Sequence, residues 1–168
     1  MTVKLEPLGP AHAAAMLAWM QRDDVRDDVG VASEPTMERT LAFIDRALTD
    51  DTVAAFAIVD DGAHVGNVVL DRVDRRVGTA RFSIYLGAPE HRGRGVGRAA
   101  TRLALAHAFE ALQLQKVWLT VHTRNTRAIT AYAREGFRVE GVLRREFLLR
   151  GELVDALYMG VLRGEQPG

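Results

Sequence analysis

His91-Arg92-Gly93-Arg94-Gly95-Val96-Gly97-Arg98 packs three glycines and three arginines into eight residues, between a short alternating apolar segment and a long Ala/Leu-rich one. Glycine lets the backbone approach a ligand closely and turn its amides toward it. A helix beginning near Val96 adds unpaired N–H groups and the positive end of its dipole, and Arg92, Arg94 and Arg98 add formal charge. The combination predicts an anion cradle suited to a phosphate or pyrophosphate. The plain alternative is a glycine-rich surface turn with incidental arginines.

Working outward, Ala80 to Leu86 reads as the strand entering this turn, and Val96 to Leu112 as the helix leaving it. Upstream, Val53 to Val59 and Val65 to Leu70 form a hairpin around Asp60-Asp61-Gly62, with Asp71 to Gly78 as a second, charged turn. Val3 and Leu5 mark a first strand, and Pro10 opens an amphipathic helix to Met20 with Met16, Leu17 and Met20 on one face. Asp23 to Ser33 reads as a loop. Ser33 is predicted to cap a second helix, with Pro35 in its first turn and Leu41, Ile44 and Leu48 as a buried stripe. Downstream come a strand at Val117, Leu119 and Val121, a helix from Thr126 to Arg134 that Gly136 ends, and a hairpin of Phe137–Leu149 with Leu153–Leu162. This order predicts one α/β domain over residues 1–168 with a mixed, mostly antiparallel sheet.

The chain has 168 residues and no cysteine, which excludes disulfides, thiolate metal sites and a cysteine nucleophile. Its 22 basic and 22 acidic side chains balance, against a broadly basic nucleic-acid binder. The balance hides a division: residues 1–74 hold fourteen acidic and six basic side chains, and residues 75–168 hold eight and sixteen. Such a split fits an anionic ligand on one side and a cationic one on the other, unless the two halves interleave in space. The longest apolar run, Val53 to Val59, is far short of a membrane span, and Met1 to Glu6 lacks a signal-peptide pattern, so no membrane partner and a cytoplasmic location are expected. His12, His64, His91 and His107 have no metal-ligand spacing, so no metal is expected.

The glycine turn lacks the Gly-Lys-Ser/Thr ending of a nucleotide-hydrolysing loop. Gly95-x-Gly97-x-x-Ala100 fits a relaxed dinucleotide fingerprint, but no acidic residue stands between Glu110 and Glu135 to hold a ribose. Arg92-x-x-Gly95-x-Gly97 instead resembles the acetyl-CoA pyrophosphate loop of the GCN5-related N-acetyltransferases. Asn125-Thr126-Arg127-Ala128 with Tyr132-Ala133-Arg134-Glu135-Gly136-Phe137 is similar to that family's second motif. The ending Gly141 to Phe147 with Gly151 to Asp155 resembles its ribosomal-protein N-terminal, polyamine and amino-sugar branches.

The resemblance implies a central parallel strand pair that splays apart, flanked by helices, and acetyl-CoA as cosubstrate. It implies backbone donors at Tyr85, Leu86 and Gly87 for the pantetheine arm and thioester oxygen, and Arg92, Gly93, Arg94, Gly95, Val96, Gly97 and Arg98 for the pyrophosphate. Asn125 would bond the cofactor arm, or cap its helix. Tyr132 would be the general acid for the leaving thiolate, since the unperturbed pKa values of phenol and thiol lie within about two units; the alternative is a residue that only packs on Phe137. Arg81 stands where many members carry a glutamate base, leaving deprotonation to water or another group such as His122. Asp23-Asp24 and Asp27-Asp28 fall where an amine acceptor would enter. The acceptor implied is a polyamine, an amino sugar or a peptide N-terminus, and a homodimer is expected because members are often dimers. A CoA-binding regulatory module without turnover, or use of another donor such as succinyl-CoA, are the competing readings. Trp19 and Trp118 fit either the core or a substrate surface.

Overall fold

The computed structural model describes residues 1–30 and 33–167. One seven-stranded sheet runs in the order β1-β2-β3-β4-β5-β7-β6. Its strands are β1 (Val3–Pro7), β2 (Ala54–Asp60), β3 (Ala63–Asp74), β4 (Thr79–Leu86), β5 (Lys116–His122), β6 (Arg138–Leu149) and β7 (Glu152–Leu162). All neighbours are antiparallel except β4 and β5. The helices are α1 (Ala13–Met20), α2 (Asp23–Val29), α3 (Met37–Thr49), α4 (Val96–Ala106) and α5 (Thr126–Arg134), and α4 runs on through a π-helical turn at His107–Ala111. No helix among the described residues is long and apolar enough to cross a membrane.

Alternation along β2 builds a core on each face. Ala55 and Ala57 point with Leu8, Met16 and Ile44 toward α1 and α3. Ile58 joins Val68, Leu70 and Phe82 on the opposite face, where α4 lays down Val96, Ala100 and Ala104, all fully buried. These small side chains let α4 lie close to the sheet, which places the glycine turn at the carboxyl end of β4. Arg163 locks the far end of α4: its guanidinium donates to the carbonyl of Phe109 in the π turn and to that of Leu114 just beyond the helix.

Four local expectations need correction. Asp23 to Ser33 is not simply a loop, because α2 forms within it and ends at Gly30 with φ +72°; residues 31 and 32 lie outside the described residues. Aspartate is a weak helix former, but Asp23 and Asp24 sit in the first turn where the dipole favours them, and Val25 is fully buried. The cap of α3 is Thr36, whose Oγ accepts from the Arg39 amide at 3.2 Å, and not Ser33. The buried stripe of α3 is shifted: Ile44 is buried with Phe43 and Ala47 against it, while Leu41 and Leu48 are exposed. In addition, β3 continues through Asp74, so Asp71 is a strand residue and not part of a turn.

Candidate active site

Gly93 and Gly95 adopt φ +76° and +90°, the left-handed region that glycine enters without strain. Among the described residues, the amides of Gly93, Arg94, Gly95, Val96, Gly97 and Arg98 donate to no protein acceptor; the first helical bond runs from the Ala99 amide to the Gly95 carbonyl. Six successive free N–H groups at a helix start form an anion cradle. The arginines contribute less directly than the sequence suggests. Arg92 donates through Nε and Nη2 to the Leu86 carbonyl at 3.0 and 2.8 Å, and through Nη1 to Asp24 at 2.7 Å. Arg98, with Arg102, clasps the buried carboxylate of Glu135. Of the loop's three arginines, Arg94 alone has a guanidinium with no partner among the described residues, so the loop offers mainly backbone.

Beside the loop, the parallel pair opens. Thr79, Ala80 and Arg81 pair with Lys116, Val117 and Trp118, and no pairing continues beyond. The edge of β4 from Phe82 to Leu86 therefore faces a wedge. In an antiparallel ladder, alternate residues direct both backbone groups to the same neighbour. The Gly87 amide donates to the Val65 carbonyl at 3.0 Å, and the register pairs Tyr85 with Asn67. Gly87 and Tyr85 thus turn their amides to β3, while Leu86, Ile84 and Phe82 turn theirs to the wedge. Of the three donors expected at this strand end, Leu86 is so placed; Ile84, two residues back, was missed because the alternation is set by the register with β3. Gly87 instead admits Trp19: a Cβ there would lie 1.9 Å from the indole Cδ2. Trp118 stacks on Tyr158 with ring centroids 5.0 Å apart.

A cavity of about 510 Å³ lies between α1–α3 and the sheet and reaches the wedge at Phe82, Ile84, Thr120 and Tyr132. Tyr132 reaches it from α5, packed edge-on to Phe82 and tilted on Phe137. Its hydroxyl has no partner among the described residues. Burial, with the Asp28 charge as the smaller cause, pushes the phenol pKa well above the usual tyrosine value, so it stays a donor at neutral pH but is a weaker acid than a free phenol.

Asp28 brings a carboxylate to the same cavity. Desolvation raises its pKa, opposed by Arg92 and His122. The neighbouring aspartates of α2 are already engaged: Asp24 by Arg22 and Arg92, and Asp27 by Arg150. Of the expected acidic cluster, Asp28 is the member that lines the cavity. Asn125 caps α5 by accepting from the Ala128 amide at 3.1 Å and donates to Asp28 at 3.2 Å, so both ends of its amide are occupied by protein. Arg81 pairs in a bidentate contact with Asp71, directly opposite on β3, at 2.8 and 2.6 Å. An acid therefore does stand in this wall, on the adjacent strand and neutralised. His122 packs on Phe147, its Nδ1 is buried with no partner among the described residues, and desolvation lowers its pKa, but it is not among the residues that line the cavity.

Residues 2–138 match the family model for the acetyltransferase (GNAT) domain. The chain belongs to the GNAT acetyltransferase family. The glycine cradle, the splayed β4–β5 pair and the α5 tyrosine lie in the order expected from the GNAT motifs. The spermidine N(1)-acetyltransferase of Escherichia coli (strain K12) is 33% identical over 119 residues, covering 71% of this chain and 63% of that enzyme. An L-amino acid N-acetyltransferase of the same strain is 35% identical over 101 residues, 59% of this chain and 62% of that enzyme. In both alignments this chain spans less than two thirds of the relative's length. The fold is shared with the spermidine N-acetyltransferase of Vibrio cholerae solved with CoA and spermine, at a TM-score of 0.91 and 24% identity, covering 97% of this chain and 96% of that one.

Proposed function

We propose that this GNAT protein transfers an acetyl group from acetyl-CoA to a primary amine by direct attack. The observation that carries the reading is the combination, among the described residues, of six unpartnered amides at the start of α4, an open edge on the β4 strand that leads into them, and an unpartnered tyrosine hydroxyl at the cavity that Phe82, Ile84 and Tyr132 line. The residues fit the cosubstrate: the loop amides from Gly93 to Arg98 suit its pyrophosphate, and the Ile84 and Leu86 amides suit its carbonyl-rich arm. Acetyl-CoA supplies the thioester, whose acetyl group passes to the amine nitrogen as the carbon–sulfur bond breaks. Tyr132 holds a proton at Oη for the departing sulfur, and its raised pKa makes it a hydrogen-bond donor through most of that step. Asp28 holds the entering ammonium, whose proton leaves to water or to that carboxylate. The similarity to spermidine acetyltransferase supports a polyamine acceptor, and the similarity to the amino-acid enzyme supports an α-amino group; both are primary amines.

The test is thiol release over an amine panel with acetyl-CoA and succinyl-CoA, using Tyr132→Phe as the control. Loss of the phenol is expected to lower kcat by about a hundredfold to ten-thousandfold. Wild-type kcat in Tyr132→Phe would remove the tyrosine from the mechanism. Tight CoA binding with no amine-dependent release would make the protein a CoA-binding module instead.

A further inference from the structure

We infer that the acceptor carries an anionic group, in the simplest case a carboxylate, on the same molecule as its amine. This rests on the reading that an amine is acetylated here and names the rest of that amine's chemistry. The observation is the charge inventory of the cavity wall. Among the described residues, six charged ones line it: Asp28, Glu34, Arg39, Arg46, Asp71 and Arg81. Asp71 and Arg81 neutralise one another through their bidentate contact.

Arg39 and Arg46 are the cations left over. They stand seven residues apart on α3, two helical turns along one face, with Phe43 between them on the same wall. Among the described residues neither pairs with a carboxylate. Arg39 donates through Nη1 to the Glu34 backbone carbonyl at 2.8 Å, and Arg46 makes no side-chain hydrogen bond. A guanidinium presents a planar fork of donors that matches a carboxylate in two parallel bonds. Two such groups, against the single carboxylate of Glu34, make the α3 wall net cationic. A polycation entering this cavity would meet Asp28 favourably and the α3 wall unfavourably. An amine with a carboxylate satisfies both: its ammonium meets Asp28 beside Tyr132, and its carboxylate meets Arg39 and Arg46.

The experiment compares acceptors matched in chain length that differ only at the far end: γ-aminobutyrate, butylamine and putrescine, with their longer homologues and the α-amino acids. The expected order of kcat/KM in the wild type is carboxylate, then methyl, then ammonium. Arg39→Gln and Arg46→Gln are expected to cut the carboxylate-over-methyl ratio by about tenfold each, the loss for one charged hydrogen bond. Preference for the diamine in the wild type, or a ratio that both variants leave unchanged, would overturn the inference. Titration calorimetry of the same ligands without any acyl donor reads binding alone. If no amine is turned over, the transferase reading fails, while Arg-dependent binding of the carboxylate series still decides this inference.

Discussion

Arg92→Lys separates a guanidinium that serves the cofactor as a charge from one that holds the protein's own backbone. Lysine keeps the charge but offers a single ammonium in place of the fork that reaches Leu86 and Asp24 together. Hydrogen bonds from a charged donor are worth about 1.5–3 kcal/mol each. The Asp24 side chain is 42% exposed, so its share is discounted to at most about 1 kcal/mol, and Arg22 still holds it. Losing the Leu86 contacts and part of the Asp24 pair therefore costs roughly 2–3 kcal/mol. For a domain of this size each kcal/mol moves the midpoint by about 2–4 °C, so a fall of about 4–12 °C is expected. Differential scanning calorimetry of the ligand-free protein reads it, with CoA titrations at two salt concentrations beside it. With the charge retained, the salt dependence of CoA affinity is expected to match the wild type. A ligand-free midpoint equal to wild type, together with weakened CoA binding, would refute the clamp and return Arg92 to the phosphate.

Gly87→Ala forces a methyl group into the Trp19 ring. The indole is wedged edge-on against His64 and Tyr85, so overpacking is expected to destabilise by about 1–3 kcal/mol in urea unfolding; an unchanged midpoint would mean that the ring moves freely. Desolvation depresses the pKa of His64, His107 and His122. The unfolded chain then binds protons first, so stability is full above about pH 6.5 and falls as pH drops through that value. His122→Gln should make that fall shallower between about pH 7 and pH 5, and an unaltered slope would exclude His122 as a contributor.

Much of the site was legible because its signals are local in the chain. The glycine turn, the amphipathic α5 and the hairpins are each written within a dozen residues, and backbone preference acts over that range. The path to α2 was not legible, since Val25 and Val29 among four aspartates make a single helical repeat, too short to read as a period, and the helix depends on contacts made elsewhere. Asp71 was hidden for a related reason: nothing local says that β3 runs far enough to set it across from Arg81.

The sequence by itself determined the local elements of the candidate site: a glycine turn, a strand before it, a helix after it, and a tyrosine on the next helix. Only the tertiary structure decided what its charges do. Arg92 finds Asp24, Arg98 finds Glu135, Asn125 finds Asp28 and Arg150 finds Asp27, each far away in the chain. Pairing at that distance follows from which surfaces pack together, not from periodicity or composition. The acidic and basic halves, which balance in the total, largely neutralise one another around the site. The charges left without an ion pair at the cavity among the described residues, Asp28 on α2, Glu34 before α3 and Arg39 and Arg46 on α3, are a property of the fold alone.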